Sequence, residues 1–123
     1  MADISGTWLG TYWQQEVPTR FEATLIQGGN AMSGSILDDS ALGEAQINGE
    51  VIGRRIHFTK RYLTTAGYVI SYTGTISEDE TFMQGTWRIT GLDSGRWEAQ
   101  RSGENLLADL QFRRAKQLSV VRG

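Results

Sequence analysis

The stretch Gly6-Thr7-Trp8-Leu9-Gly10-Thr11-Tyr12-Trp13 decides the fold, because its residues fall on two alternating faces of an extended strand. If Trp8 points inward, Gly6, Gly10 and Tyr12 point inward with it, a pattern typical of a β-strand with one buried face. A second run of the same period carries Trp97 and Arg101. We interpret the opening Gly-x-Trp and the closing arginine as two ends of one sheet that closes on itself, with Trp8 plugging the bottom and Arg101 lying across it.

Runs of period two occur eight times along the chain. They cover residues 6–13, 20–27, 31–37, 43–51, 54–62, 67–76, 81–90 and 95–101. The breaks between them are short and rich in turn residues, which favours hairpins between sequence neighbours over crossover connections. Because closing the sheet removes its exposed edges, the sequence predicts an all-β, eight-stranded antiparallel up-and-down β-barrel.

Alternating strand direction sorts the inward residues into a closed end and an open end. The closed end is predicted to hold Trp8, Leu25, Met32, Gly49, Ile56, Ile76 and Arg101. The open end is predicted to hold Tyr12, Phe21, Asp38, Tyr62, Tyr68, Ile89 and Trp97, with Lys60 just below them. Polar and aromatic groups gathered at one end of an apolar interior are typical of a ligand pocket.

The pattern changes after Gly103. Apolar residues follow at roughly helical spacing, namely Leu106, Leu107, Leu110 and Leu118. Acidic residues come early in this segment and basic residues late, in agreement with the helix dipole. The sequence therefore predicts a C-terminal α-helix from Glu104 to about Leu118, and two parts: a β-barrel over residues 1–103 and a helix and tail over 104–123.

Composition excludes several classes of function. The chain has 123 residues, enough for one domain, with 12 Lys and Arg against 14 Asp and Glu. A net charge of −2 gives no electrostatic footprint for nucleic acid, and the lack of cysteine excludes disulfides and thiolate chemistry. Apolar runs long enough to span a membrane and a leader pattern are both missing from the sequence. We therefore predict no nucleic-acid partner, no membrane partner and a cytoplasmic location.

Three patches of sequence resemble the avidin and streptavidin family, within the calycin group of barrels. Ile4-Ser5-Gly6-Thr7-Trp8 resembles the family's opening Ile-Thr-Gly-Thr-Trp, and Gly85-Thr86-Trp87-Arg88-Ile89-Thr90 resembles its Trp-Leu-Leu strand. Trp97-Glu98-Ala99-Gln100-Arg101-Ser102-Gly103-Glu104-Asn105 resembles its Trp-Lys-Ala-Thr-Arg-Val-Gly-Ile-Asn. The resemblance implies an avidin-like barrel that assembles as a homo-oligomer, a dimer or a tetramer.

The residues that the family uses to hold biotin are only partly present. The resemblance implies a pocket wall at Trp87, a subunit-bridging role for Trp97 and a ureido contact for Asn105. The family's other biotin-site positions are occupied here by Gly10, Tyr12, Gln14, Ile36, Ile70 and Tyr72. Because each buried hydrogen-bonding partner lost costs about 1–3 kcal/mol, high-affinity biotin binding is not expected.

Lys60 is the least expected inward residue, because its parity places a charged ammonium group inside an apolar barrel. Three outcomes are open: pairing with Asp38, waiting for a ligand carboxylate, or extending to the rim. His57 falls on the outer face and is predicted to be a surface residue. The acidic turns 38–39 and 78–80 are interpreted as solvated carboxylates, so no metal site is predicted.

Two functional hypotheses follow. The first is a non-enzymatic barrel that takes a small, partly apolar or aromatic ligand at its open end, with a carboxylate as one candidate polar group. Its ligand-binding residues would be Tyr12, Lys60, Tyr62, Tyr68, Tyr72, Trp87, Trp97 and Asn105. The alternative is a structural or protein-interaction barrel whose interior is filled by its own side chains. Neither requires a cofactor, and apart from a conceivable acid–base pair of Lys60 and Asp38 no catalytic constellation is found.

Overall fold

A single closed sheet accounts for the fold in the computed structural model, which describes residues 2–64 and 69–102. Its strands are β1 (Gly6–Gln14), β2 (Val17–Gly28), β3 (Ala31–Asp38), β4 (Glu44–Ile52), β5 (Arg55–Tyr62), β6 (Ile70–Ile76), β7 (Phe82–Ile89) and β8 (Asp93–Ser102). Each strand pairs antiparallel with its neighbours in sequence, and β8 pairs with β1. The predicted eight-stranded antiparallel barrel is confirmed.

The first hairpin is tighter than the sequence indicates. Gln14 pairs with Val17, so only Gln15 and Glu16 form the turn, both with positive φ (50° and 68°). Positive φ at both central residues is the geometry of a two-residue turn that matches strand twist. As a result β2 begins at Val17 rather than at residue 20, and Pro18 lies within the strand opposite Trp13.

The barrel interior contains the inward-facing side chains that the period of two predicts. Phe58 stacks on Tyr72 with ring centroids 4.8 Å apart, and Trp97 contacts both rings edge-on at 5.8 and 5.7 Å. Room for Trp97 comes from Gly74 on β6, where an added Cβ would lie 2.8 Å from the indole. Glycine on the inner face therefore lets large aromatic rings cross the barrel.

The closed end is plugged as the sequence predicts. Trp8 is fully buried, and its indole Nε1 donates a hydrogen bond to the Ile4 carbonyl at 2.9 Å. Arg101 lies across the Trp8 ring, 4.5 Å from its centroid. The guanidinium donates to the carbonyls of Ser5, Asp3 and Glu80 at 2.6, 2.6 and 2.7 Å. Chain segments before β1 and before β7 are thereby fastened to the last strand.

One part of the predicted fold class is corrected. Residues 2–64 and 69–102 contain eight strands and no helix, so the structure shows an all-β closed barrel and does not show the predicted C-terminal α-helix. The segment from Glu104 to Leu118, to which the helix was assigned, lies outside the described residues. Over the described ranges, no helix is long and apolar enough to cross a membrane.

Candidate ligand site at the open end

Strands β1, β3, β5 and β6 bring three kinds of side chain, tyrosine, aspartate and lysine, to one level at the open end. Tyr12 is near the end of β1 and Asp38 is the last residue of β3. Lys60 and Tyr62 are near the end of β5, and Tyr72 is on β6. All five point inward because they share the parity of the buried residues on their own strands. The register therefore builds a polar cluster around Asp38 above the apolar core.

The ammonium group of Lys60 is completely enclosed. Lys60 is 0% exposed, and its Nζ lies 2.9 Å from both Oδ1 and Oδ2 of Asp38. The same Nζ lies 4.8 Å from the ring centroids of Tyr12 and Tyr62 and 5.6 Å from that of Tyr72. Aromatic faces attract a cation at these distances. Of the three outcomes open for Lys60, the structure shows pairing with Asp38 and neither a free ammonium nor extension to the rim.

Asp38 is the centre of the cluster. It is 4% exposed, and its Oδ2 accepts hydrogen bonds from Tyr12 Oη at 3.2 Å and from Tyr62 Oη, in addition to Lys60. The interpretation of Asp38 as a solvated turn residue is wrong, because its inward parity takes precedence over its position beside a turn. Taking a carboxylate and an ammonium out of water is costly, and this geometry offsets the cost with several charge-assisted hydrogen bonds.

Burial controls the ionisation of the cluster. It lowers the pKa of Lys60, although the Asp38 carboxylate opposes that shift. Burial raises the pKa of Tyr12, Tyr62 and Tyr72, and for Tyr62 the hydrogen bond donated to Asp38 raises it further. Each phenol is therefore held in its neutral form, in which Tyr12 and Tyr62 have the O–H that they donate to Asp38.

Two tryptophans complete the walls. Trp87 meets Tyr12 edge-on with centroids 6.4 Å apart, and its Nε1 donates to the Trp13 carbonyl at 3.0 Å. Trp97 is 2% exposed and donates from Nε1 to the Thr73 carbonyl at 3.1 Å. Trp97 is thus buried within its own barrel, whereas the resemblance to avidins implies that it bridges subunits.

The structure brings together most of the predicted ligand-binding residues. Tyr12, Lys60, Tyr62 and Tyr72 surround Asp38, and Trp87 and Trp97 contact this group through Tyr12 and Tyr72. Tyr68 and Asn105 lie outside the described residues.

Two residues of the site are missing from the predicted ligand-binding set. Asp38 is predicted at the open end by its parity, but as a candidate partner for Lys60 or a solvated turn carboxylate and not as a ligand-binding residue. Phe21 stacks on Tyr12 with centroids 6.5 Å apart, and its parity pointed to the same end.

The solvent exposure of the side chains decreases from the rim of the barrel toward the cluster. Tyr62 and Ile89 are half-buried at the mouth, whereas Lys60 below them is inaccessible to solvent. A molecule entering from the open end would therefore meet aromatic and aliphatic surface first and phenol oxygens next. The ion pair forms the floor of the site rather than its entrance.

Other candidate residues do not form a site in the described parts of the chain. His57 is exposed on the outer face of β5, as predicted. Asp79 accepts hydrogen bonds from Ser77 and Thr81 within its own turn. Within residues 2–64 and 69–102, no group of three or more His, Asp or Glu side chains converges as metal ligands would.

Comparison with known proteins supports the architecture. No family model and no curated protein matches the chain, so the resemblance to avidins stays a prediction. Among solved structures, the chain is similar to a redesigned β-barrel, mFAP1, bound to DFHBI, with a TM-score of 0.62. The two are 10% identical, and the match covers 80% of this chain and 94% of that chain. At this identity the likeness shows the fold alone: the chain is a closed eight-stranded β-barrel that resembles a designed ligand-binding barrel.

Proposed function

We propose that the protein is a non-enzymatic binding barrel that takes a small, partly apolar ligand at its open end. The observation that carries this proposal is the concentration of polar and aromatic groups at one end of an otherwise apolar barrel. Small-molecule sites are lined mainly by apolar and aromatic side chains, with a few fixed polar groups that orient the ligand. The open end has that composition, and the redesigned barrel bound to DFHBI shows that the architecture permits an occupant.

The arrangement of the cluster supports binding rather than catalysis. Lys60 is inaccessible, and its ammonium is bonded to both oxygens of Asp38. A general acid or base must reach the reacting atom of a substrate within hydrogen-bonding distance. A ligand at the mouth would instead contact the rings of Tyr62, Tyr12 and Phe21, with the Asp38–Lys60 pair holding the tyrosines in place.

The proposal is tested by native mass spectrometry of the protein purified without added ligand, followed by thermal-shift screening with fatty acids, aromatic acids, biotin and tetrapyrroles. A retained molecule or a raised melting temperature is expected. Each hit is then titrated against Ile89→Arg, which places a long charged side chain at the mouth. We expect at least about a tenfold loss of affinity, since the substitution blocks the entrance.

The matched control is Thr86→Arg, which carries the same new side chain on the outer face of the same strand. Unchanged affinity in Thr86→Arg together with weaker binding in Ile89→Arg would locate the ligand at the open end. Equal effects of the two variants would place it elsewhere.

The alternative function is a structural or protein-interaction barrel without a ligand. The observation in its favour is that, among the described residues, every buried side-chain nitrogen and oxygen has a hydrogen-bond partner. A cluster that satisfies itself requires no occupant. No retained molecule and no shift across the whole panel would favour this alternative.

A further inference from the structure

We propose that the polar group of the ligand is an uncharged hydrogen-bond donor, such as an alcohol or an amide, attached to an apolar or aromatic body. This inference rests on the proposed function and specifies which ligand chemistry the open end accepts. It replaces the carboxylate that the sequence alone suggested as a candidate.

The donors of the cluster are already directed at Asp38. Lys60 donates to both Asp38 oxygens, and the hydroxyls of Tyr12 and Tyr62 donate to Oδ2. A phenol has a single O–H. A hydroxyl that donates its proton to Asp38 therefore cannot also donate a full hydrogen bond to a ligand. A ligand carboxylate at the mouth would consequently find acceptors where it needs donors.

An acceptor, in contrast, is available at the mouth. The Tyr62 oxygen keeps its lone pairs after donating its proton to Asp38, and the single proton of the neighbouring Tyr12 hydroxyl is directed at Asp38 as well. Tyr62 is also the most exposed residue of the cluster, half-buried where the other members are buried. Tyr12 is less available, because it is buried and its hydroxyl also contacts Thr19. The Tyr62 oxygen is therefore the acceptor that selects a donor.

The charges of the floor favour a neutral donor over an ionic one. Asp38 and Lys60 neutralise each other, so an ion of either sign would face a like charge and find no unpaired counter-ion. Either ion would also lose hydration on entering a half-buried aromatic mouth. A neutral alcohol or amide avoids both costs and still gains the hydrogen bond to Tyr62.

The test is a matched aromatic series titrated into the full chain and followed by the NMR shifts of the indole N–H groups of Trp87 and Trp97. The probes are benzyl alcohol, benzamide, toluene, benzoate and benzylammonium. We expect benzyl alcohol and benzamide to bind about five- to tenfold more tightly than toluene, the value of one net hydrogen bond, and more tightly than either ion.

The variant Tyr62→Phe should remove this preference, so that benzyl alcohol and benzamide bind to it no more tightly than toluene does. Its matched control is Tyr72→Phe, which removes a hydroxyl from another ring facing Lys60 and should keep the preference. If either variant fails to fold, the order of affinities of the five probes for the unaltered protein still tests the inference.

The outcomes separate the two proposals. Tighter binding of the neutral donors, lost in Tyr62→Phe, supports the inference. Benzoate, benzylammonium or toluene binding as tightly as benzyl alcohol would overturn the inference and leave the binding function standing. Binding of no probe at all, together with no hit in the ligand screen, would overturn both.

Discussion

The closed and open ends of the barrel each place a cationic side chain against aromatic rings, but the hydrogen-bond acceptors of the two cations differ. At the closed end, Arg101 stacks on Trp8 and donates to three backbone carbonyls. At the open end, Lys60 is enclosed by tyrosine rings and donates to the carboxylate of Asp38. The closed end therefore depends on main-chain acceptors that never titrate, whereas the open end depends on groups that can gain or lose a proton.

This difference shows what each end contributes. Carbonyl acceptors tie Arg101 to the chain segments around it, so the closed end fastens the fold together. A carboxylate that accepts four hydrogen bonds from three donor groups instead fixes side chains, because Tyr12, Tyr62 and Lys60 are all oriented by Asp38. Fixed side chains are what a binding site requires. The comparison can be tested by altering each end separately.

The largest effect is expected at the open end from Asp38→Asn. The substitution leaves the Lys60 ammonium buried without a counter-ion, which typically costs about 3–5 kcal/mol. The free energy of unfolding, measured by urea denaturation with tryptophan fluorescence, should fall by that amount. Asp39→Asn is the matched control, because Asp39 is the adjacent exposed residue and should change stability by no more than about 0.5 kcal/mol.

The double variant Asp38→Asn with Lys60→Met distinguishes the unpaired charge from the lost hydrogen bonds. Removing both charges should recover most of the stability, since a buried ion pair replaced by neutral groups is often close to neutral. A double variant as unstable as Asp38→Asn alone would mean that hydrogen bonding to the tyrosines, and not charge pairing, dominates.

A smaller effect is expected at the closed end from Arg101→Met. Methionine keeps much of the side-chain bulk but loses the bonds to three carbonyls, and because Arg101 is only half-buried, water can replace part of them. We expect a loss of about 1–3 kcal/mol, measured by thermal denaturation. Arg96→Met is the matched control, since Arg96 also stacks on a tryptophan, Trp13, at 4.0 Å, but on the outer face. Similar losses in both would show that the carbonyl contacts add little.

The smallest effect is expected when the pH is raised to 10.0, where the phenols of the unfolded chain are only half ionised, and it should occur only at the open end. The raised pKa values of Tyr12, Tyr62 and Tyr72 mean that stability is intact below 10.0, the ordinary phenol value, and falls as pH rises above it. The lowered pKa of Lys60 acts in the opposite direction, since its buried charge is relieved as pH approaches 10.5.

Phenolate absorbance followed together with tryptophan fluorescence checks this expectation. Tyr12, Tyr62 and Tyr72 should ionise only as the barrel unfolds. In Tyr62→Phe, the decline of the unfolding free energy above pH 10 should be shallower by about 1.4 kcal/mol per pH unit, the contribution of one proton. Ionisation of all three phenols in a barrel that is still folded would contradict the raised pKa values of these tyrosines.

The period of two in the sequence was sufficient to predict the barrel and the inward face of each strand. Parity placed Lys60 beside Phe58 inside the barrel, and it placed Asp38 at the same end. Parity specifies a face of the sheet, however, and not the path of a long flexible side chain within the interior. Whether Lys60 reached the rim or Asp38 depended on the positions of β3 and β5, which are separated by β4.

Strand ends were less predictable, for local reasons. Pro18 indicated a break, because proline cannot donate to a sheet ladder. The two-residue turn at Gln15 and Glu16 nevertheless lets β2 begin at Val17, before the proline. The resemblance to avidins implies a pocket wall at Trp87 and a subunit-bridging role for Trp97. The structure buries Trp97 in its own barrel, which the motif does not indicate, because a motif copied from a family does not show which side chains fill this interior.

The pairing of β1 with β8 has a consequence for how the chain is made. Thr7 pairs with Ser102, so the first strand must wait for the last before the barrel can close. Until residues 93–102 leave the ribosome the barrel cannot close, so any sheet formed by the earlier strands has β1 and β7 as unpaired edges, each able to pair with another chain. Pairings between distant residues also form slowly. The interval before β8 emerges is therefore when we expect misassembly to compete with folding and chaperones to be needed most.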